Sequence, residues 1–342
     1  VDVDVEETTT GSLTFGGSFS SSDGLGVAVG LTERNFLGRG QIVRANISAS
    51  AETANYNLSF AEPAFLGRDV GFSIATSLIE TDQQNNSSFD TIIGTFRPAL
   101  SFPLDETSRY EIYYNAEYRE MSEYFGNSPT LAAETAQGGS FTSGIGARYT
   151  YDTRRTGLNP DAGVLIDAGL EYAGLGGDQE YLQSSLRIVG QRLAFAEEVT
   201  LRASFEIGAR NFLGGDPSRA VDRYSQQIMR GFDPNGIGPQ QNDEFLGGNY
   251  FAVAQFDAEF PLGLPNEFGI TGGIFYDVGS VWGIDQTVGT VQSRDFRARH
   301  VVGVSLFWES PFGPLRINLS EALEKEPGDV DRAFDIQVRT DF

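Results

Sequence analysis

The tetrapeptide Met229-Arg230-Gly231-Phe232 has the residue types best suited to a specific polar contact. It lies in "QQIMRGFDPNGIG", residues 226–238, where Gly, Pro and Asn are typical of a loop. The guanidinium of Arg230 presents its N–H donors in a planar fork that can bind a carboxylate through parallel hydrogen bonds. Gly231 would allow a sharp backbone turn, and Phe232 could pack against a wall. We therefore expect an acidic partner elsewhere in the chain to hold this loop.

The segment "GITGGIFYDVG", residues 269–279, supplies the first candidate acceptor. Side chains alternate between the two faces of a strand, so the face opposite Ile274 and Tyr276 carries Asp277. Phe275 and Gly279 share the face of Asp277 and would line the same place. We expect Asp277 to accept from Arg230.

The preceding segment, residues 248–260, supplies a second candidate acceptor. If Tyr250 and Phe256 face the apolar side of this strand, Asp257 and Glu259 face the polar side. The two segments directly follow the Arg230 loop and would form a hairpin. We predict Glu259 as the second acceptor.

Alternation of this kind continues from residue 11 to the end and predicts about sixteen strands. Their approximate ranges are 11–20, 25–34, 41–50, 54–62, 70–79, 89–102, 108–119, 140–151, 163–173, 181–194, 198–211, 248–260, 268–279, 299–308, 314–320 and 333–342. Lengths of roughly 9–12 residues suit strands that cross a membrane at a tilt. The second face of many strands is charged, which a watery lumen accepts more readily than a sandwich core.

The connections between these strands fall into two classes. Several are short and contain Pro or Gly, whereas those at 120–139, 212–247, 280–298 and 321–332 are long and polar. This asymmetry is typical of an outer-membrane barrel, whose long loops lie outside the cell. An even number of strands places both chain ends on the periplasmic side. We expect residues 1–10 to be the tail of a missing N-terminal periplasmic (POTRA-type) domain and residues 11–342 to form the barrel.

Composition excludes several other classes of protein. With 24 basic and 47 acidic residues the formal net charge is -23, which argues against nucleic acid as a partner. A soluble propeller would show a repeat of about 40–50 residues, which we do not find. The single histidine, His300, shares a strand face with Val302 and Val304, so we expect no enzyme activity, and we expect no cofactor or metal.

Taken together, several motifs resemble the BamA branch of the Omp85 family over essentially the whole chain. They are Met229–Phe232, "FYDVGSVW" at 275–282, "LTERNFLGRGQ", "YDTRRTGLNPDAG", "GGNYFAVAQFDAEFPL" and "FWESPFGPLRINLSEAL". The resemblance implies an all-β, 16-stranded antiparallel transmembrane β-barrel whose sixth extracellular loop folds into the lumen.

The same resemblance implies a function and a place in the cell. It implies an integral outer-membrane protein of a Gram-negative bacterium that folds and inserts nascent β-barrel proteins through a seam between first and last strands. Its partners would be those nascent proteins, accessory lipoproteins of the BAM complex and outer-membrane lipid. A related Omp85 transporter, of the autotransporter-assembly or two-partner secretion type, remains an alternative, and a passive porin is a more distant one.

The two terminal strands are the expected site of that seam. The first strand is rich in Gly, Ser and Thr, which pack few side chains and pair weakly. Its seam residues would be Gly11, Ser12, Leu13, Thr14, Phe15, Gly16 and Gly17. In the last strand, "AFDIQVRTDF", the seam residues would be Phe334, Ile336, Val338, Arg339 and Phe342. Arg339 departs from the family pattern, in which glycine is frequent at this place.

Overall fold

Antiparallel strands make up most of the chain in a computed structural model that describes residues 9–20, 24–82, 88–154, 162–196, 198–225, 228–310 and 313–339. The strands are β1 (Gly11–Ser20), β2 (Gly24–Phe36), β3 (Gln41–Ala49), β4 (Thr53–Glu62), β5 (Gly71–Thr81), β6 (Asp90–Pro103), β7 (Ser108–Ser122), β8 (Ser140–Asp152), β9 (Gly163–Gly177), β10 (Tyr181–Ala194), β11 (Val199–Phe212), β12 (Gln240–Gln241), β13 (Glu244–Phe245), β14 (Tyr250–Pro261), β15 (Ile270–Trp282), β16 (Arg299–Ser310), β17 (Gly313–Glu324) and β18 (Phe334–Arg339). One short helix, α1, spans Pro129–Thr135, and single 3-10 turns lie at Phe65–Gly67, Ala220–Asp222 and Asn266–Phe268.

Sixteen of these strands close into one barrel, which confirms the predicted fold. Each barrel strand pairs with the next along the chain, β11 pairs with β14, and β1 meets β18 to complete the ring. The two-residue strands β12 and β13 pair only with each other, inside the connection between β11 and β14. Closure satisfies the backbone groups that an open sheet would leave at its edges, which is a requirement inside lipid.

The outer face of the wall is apolar and the inner face is polar, as the alternation predicts. On β2, for example, Leu25, Val27 and Leu31 are exposed on the outer surface. Facing inward on other strands are buried charged residues such as Asp277 and Arg299. Among the described residues, no helix is long and apolar enough to cross a membrane.

The long connections gather at one end of the barrel, which we call the loop end; the opposite end is the turn end. Residues 123–139, 213–249 and 283–298 lie at the loop end and share a hydrophobic cluster that is built around Met121, Leu131 and Leu246. Because these loops pack on one another, they form a folded cap.

Several strands extend further than the alternation predicts. β15 runs to Trp282 and β17 to Glu324, beyond the predicted ends at 279 and 320. The pairing of Tyr250 with Trp282 continues the ladder past the predicted boundary, because tertiary packing at the loop end satisfies the backbone there. Helix α1 was expected to be loop. It is capped by the Ser128 hydroxyl, which accepts from the Leu131 amide, but seven residues are too short for a helical period to show.

The β1–β18 seam is the narrowest junction in the wall. β1 pairs with β2 over ten residues, from Gly11 to Ser20, whereas its pairs with β18 within the described residues are those of Ser18, Phe19 and Ser20. These three pairs lie at the loop end of β1. β18 keeps five pairs with β17, so it is attached more firmly to β17 than to β1. Phe342 lies outside the described residues.

We expect backbone amides of β1 and β18 to exchange with solvent deuterium faster than those of β10 and β11, which share fourteen pairs. Local opening needs fewer hydrogen bonds to break where a ladder is short. Hydrogen exchange followed by mass spectrometry of the protein in lipid nanodiscs would measure this. Equal protection of the four strands would show that the seam is no weaker than the rest of the wall.

Candidate functional site: a luminal arginine latch

The loop that carries Arg230, which we call the latch loop (residues 228–238), lies inside the barrel. Gly231 has a φ of 80°, and a Cβ there would lie 2.6 Å from the Cγ1 of Val301, so only glycine fits this turn without displacement. Met229 and Phe232 are buried in a hydrophobic cluster that also contains Phe275 and Val301. Apolar packing on both sides of Arg230 therefore fixes its backbone against the wall.

Arg230 bridges two neighbouring strands through their inward carboxylates. Its Nε donates to Asp277 Oδ2 at 2.8 Å, its backbone N–H donates to the same oxygen at 3.2 Å, and its Nη2 donates to Asp277 Oδ1. Its Nη1 donates to Asp257 Oδ1 at 2.5 Å. The guanidinium also lies over the Phe275 ring, with its Cζ 4.0 Å from the centroid. One cation thus joins the latch loop to β14 and β15.

The surroundings keep this cation charged. Burial disfavours the charged guanidinium, but the hydrogen bonds that it donates to Asp277 and Asp257 outweigh this cost and raise the pKa of Arg230 above its ordinary value. The Asp277 side chain is fully buried, so it depends on Arg230 for neutralisation. Gly279 lies beside Met229, whose sulfur would be 3.2 Å from a Cβ at that position. Phe275, Asp277 and Gly279 therefore all lie against the latch loop.

Glu259, the predicted second acceptor, does not bind Arg230; Asp257 takes that place. Gln255 is paired with Asp277 across the β14–β15 ladder, and Glu259 is paired with Gly273, nearer the turn end. The carboxylate of Glu259 instead accepts from the Thr271 hydroxyl at 2.6 Å. The alternation of side chains along β14 places both Asp257 and Glu259 in the lumen. The latch loop reaches the depth of Asp257, which lies closer to the loop end than Glu259.

The latch continues into a chain of polar side chains that the sequence did not indicate. Arg316 Nη2 donates to the same Asp257 oxygen at 3.2 Å, and Arg316 Nε donates to Asn318 Oδ1 at 2.9 Å. Asn318 Nδ2 in turn donates to Asp335 Oδ2 at 3.3 Å. Arg316 and Asn318 share the inner face of β17. Strand alternation could therefore have predicted that they lie in the lumen, but not which residues they bind.

A second buried ionic cluster anchors the loop cap. Arg223 donates to both carboxylate oxygens of Glu134, a residue of α1, at 2.8–2.9 Å. Arg219 Nε donates to Asp222 Oδ2 at 3.2 Å. Burial alone would raise the pKa of Asp222, but the nearby guanidiniums of Arg119, Arg219 and Arg210 lower it below its ordinary value.

At the seam, some of the predicted residues pair across the β1–β18 junction and others do not. The β1 residues from Gly11 to Gly17 pair with β2, whereas the described seam ladder uses Ser18 to Ser20, which were not predicted. Of the predicted β18 residues, Val338 and Arg339 pair with Phe19 and Ser18, and Phe334 is exposed on the outer face. β18 begins at the loop end with Phe334, but it is its later residues, Gln337 to Arg339, that pair with the loop end of β1.

The chain matches the Omp85 superfamily domain over residues 35–342. It is 27% identical over 336 residues to the outer membrane protein assembly factor BamA of Neorickettsia risticii, which covers 96% of this chain and 45% of that protein. It is 26% identical over 251 residues to the human sorting and assembly machinery component 50 homolog, covering 69% of this chain and 50% of that protein. The chain thus spans about half the length of these curated relatives.

Solved structures share the fold. BamA from Haemophilus ducreyi lacking POTRA domains 1-3 superimposes with a TM-score of 0.85 at 22% identity, over 97% of this chain and 70% of that chain. CdiB from Acinetobacter baumannii superimposes with a TM-score of 0.59 at 13% identity, over 97% of this chain and 60% of that chain. At these identities, the likeness concerns the barrel alone.

Arg230→Ala should lower the free energy of unfolding by about 3–5 kcal/mol, because it leaves Asp277 buried without its cation. Urea unfolding in detergent, followed by heat-dependent gel mobility, would measure the loss. Arg187→Ala is a matched control: Arg187 pairs with Glu206, and both side chains are partly exposed, so about 0–1 kcal/mol is expected. Similar losses in the two variants would contradict the latch.

Asp257→Asn should destabilise the barrel more than Glu259→Gln, since Asp257 accepts from two arginines and Glu259 from one threonine. Each hydrogen bond to a charged group contributes about 1.5–3 kcal/mol, so weakening contacts with two arginine cations should cost more than weakening one hydroxyl contact. The same unfolding assay applies. The reverse order would restore Glu259 as the second acceptor.

The loop cap should stay docked as the pH falls from 7 to about 4. Because the pKa of Asp222 is lowered in the folded state, its stabilising contribution is complete above the unfolded value of about 3.9 and is lost only as pH falls through the folded value. Limited proteolysis of residues 213–225 across this pH range would report release. Cleavage that increases already near pH 6 would contradict this assignment.

Proposed function

Because the chain belongs to the Omp85 superfamily, we propose that it is the barrel of an outer-membrane assembly factor that folds and inserts nascent β-barrel proteins at the β1–β18 seam. The observation that carries the proposal is that the β1–β18 ladder has three pairs among the described residues, the fewest of any junction between neighbouring barrel strands. The similar proteins, an outer membrane protein assembly factor and a sorting and assembly machinery component, support the same activity.

Strand addition is the chemistry that the seam offers. An incoming strand adds to an edge of β1 by main-chain hydrogen bonds, as in β-augmentation, and each further hairpin extends the new sheet. Backbone groups stay paired throughout, which matters because an unpaired amide in lipid costs several kcal/mol. The short β18 could also thin the adjacent bilayer and ease insertion.

The latch gives the rest of the wall the rigidity that this mechanism needs. Arg230 ties β14 to β15 from the inside, and Arg316 extends the contact to β17. Because a ring under strain opens at its weakest junction, a braced wall directs opening to the seam.

The cellular setting belongs to the same proposal. The barrel would be integral to the outer membrane of a Gram-negative bacterium, with both termini on the periplasmic side and POTRA-type domains before it. Nascent β-barrel proteins, accessory lipoproteins and outer-membrane lipid would be its partners. Neither a cofactor nor an enzymatic step enters the mechanism.

A transporter of the same superfamily is the second candidate, favoured by the structural likeness to CdiB. The two functions differ in their product: an assembly factor leaves a folded barrel in the membrane, and a transporter releases its passenger on the far side. The similarity to an outer membrane protein assembly factor and to a sorting and assembly machinery component supports the assembly factor.

Locking the seam should stop insertion. Phe19→Cys with Val338→Cys places the two cysteines on a register pair of the seam, and residues 1–342 contain no native cysteine that could compete. Oxidation should lower the rate at which liposomes containing the protein insert an unfolded porin, by at least about tenfold, and a reducing agent should restore it.

The control is a lock that leaves the seam free. Ser184→Cys with Ala209→Cys joins β10 to β11 at a register pair of an uninterrupted ladder. Its oxidation should leave insertion unchanged. Undiminished insertion by the locked seam, with the disulfide verified by mass spectrometry, would sink the proposed mechanism.

A further inference from the structure

The connection between β17 and β18, residues 325–333, is bonded to the latch loop by backbone hydrogen bonds. The Arg332 amide donates to Gly231 O at 2.9 Å, and the Asp233 amide donates to Val330 O at 3.0 Å. The Val330 amide donates to Gly236 O at 3.0 Å. Residues adjacent to the latch arginine are therefore paired with residues that immediately precede the last strand.

Side chains fix this connection to the wall as well. Arg299 Nε and Nη2 donate to the two oxygens of Asp329 at 2.8 and 3.0 Å, and both side chains are fully buried. Arg332 Nε donates to Asp233 Oδ1 at 2.5 Å. Since a buried ion pair is costly to break from one side, residues 329–332 form a fixed point for β18.

A second route joins the latch to β18 along the inner wall. It runs from Arg230 through the shared acceptor Asp257 to Arg316, and from there through Asn318 to Asp335 of β18. Ser305 of β16 donates to the same Asn318 oxygen at 2.7 Å. Asn318 and Asp335 are buried, so this route lies away from bulk water.

We propose that Arg316, Asn318 and Asp335 are positioning residues that hold β18 in register with β17 and transmit the state of the latch to the seam. This inference rests on the proposed function and adds a direction to it: β18 stays with β17 and the latch, and β1 is the strand that departs. The seam then opens by losing three pairs, while the five β17–β18 pairs and both polar routes persist.

Cross-linking of the seam tests this without any insertion assay. With cysteines at positions 19 and 338, the rate of disulfide formation in liposomes reports the closed register. Arg230→Ala and Asn318→Ala should each change this rate by at least about threefold, and together they should change it less than the product of the single effects, because they act on one network. Cysteines at positions 19 and 336 should then cross-link more readily, as the register shifts.

Two further variants keep the experiment decisive. Asp335→Asn preserves shape and removes only the charge, so it tests the route even where larger changes prevent folding. Arg148→Gln is the control, since Arg148 pairs with Asp167 on the β8–β9 wall. Independent, multiplicative effects of Arg230→Ala and Asn318→Ala, or wild-type rates in Asp335→Asn, would overturn the coupling even if insertion at the seam is correct.

The turn end carries a different feature, a repeated motif with exposed leucines. The sequence Phe-Leu-Gly-Arg occurs at 36–39 and 65–68, in the turns after β2 and β4. Leu37 and Leu66 have left-handed φ values of 55° and 57° and are 74% and 81% exposed. Transfer of an exposed leucine side chain from water to an apolar environment is favourable, so lipid around these turns would stabilise both side chains.

Other turns at this end share the property. Leu104, Phe195 and Phe268 are large apolar residues that are more than half exposed in three further turns. These apolar turn residues adjoin the barrel wall: the ring centroid of Phe65 lies 5.0 Å from that of Phe72 on β5. Arg39 and Arg68, each next to a motif glycine, have no carboxylate partner in the part of the chain that the structure describes.

We infer that the turn end is seated in the lipid–water interface, with the leucines among acyl chains and the arginines at headgroup phosphates. Single cysteines at positions 37, 66 and 195, spin-labelled in the full chain in liposomes, should collide with oxygen more than with a water-soluble nickel chelate. A label at Val29 on the outer wall reports lipid if the barrel spans the membrane, and one at the exposed Val288 of a long loop reports water. Turn labels that match the Val288 label while the Val29 label reports lipid would overturn the inference.

Discussion

The pairing of Arg230 with Asp277 is the interaction on which the interior of this barrel depends. A fully buried carboxylate on β15 needs a cation; among the described residues it forms an ion pair with Arg230, whereas Arg316 of the wall is bound to Asp257 and Asn318. The cation must therefore come from a loop, and that loop must enter the lumen. Burial of Met229 and Phe232 on either side makes the entry favourable as well as electrostatically necessary.

Neutralisation of a buried carboxylate by an arginine also occurs at other contacts of the loops. Arg223 neutralises Glu134 in the cap, and Arg299 neutralises Asp329 in front of the last strand. The protein carries a large net negative charge, and buried arginines such as Arg223 and Arg299 neutralise carboxylates at these junctions. Each pair orients the backbone that carries it, because bidentate geometry tolerates little displacement. The interior is thus a set of fixed points rather than a uniformly packed core.

Against this braced interior, the seam differs by its lack of pairing. In the described part of the chain, ten pairs join β1 to β2 and three join it to β18, although all three strands belong to one ring. The Gly- and Ser-rich composition of β1 adds little side-chain packing to compensate. β18 is held firmly by its neighbours, whereas β1 is attached weakly to β18. The junction is therefore asymmetric, and β1 is the strand whose edge becomes available.

Local patterns in the sequence determined the wall, and tertiary structure decided the partners. Alternation with period two needs only neighbouring residues, so it was sufficient to predict the barrel strands and to place Asp277 and Asp257 in the lumen. How deep the latch loop inserts depends on packing among Met229, Phe232 and Val301, which no local pattern records, and this depth selected Asp257 over Glu259. The helix α1, the three-pair seam and the bonding of residues 330–332 to the latch loop likewise arise from contacts between distant segments. The free energy of these contacts depends on how distant segments are aligned with one another. That alignment is fixed only when the barrel closes.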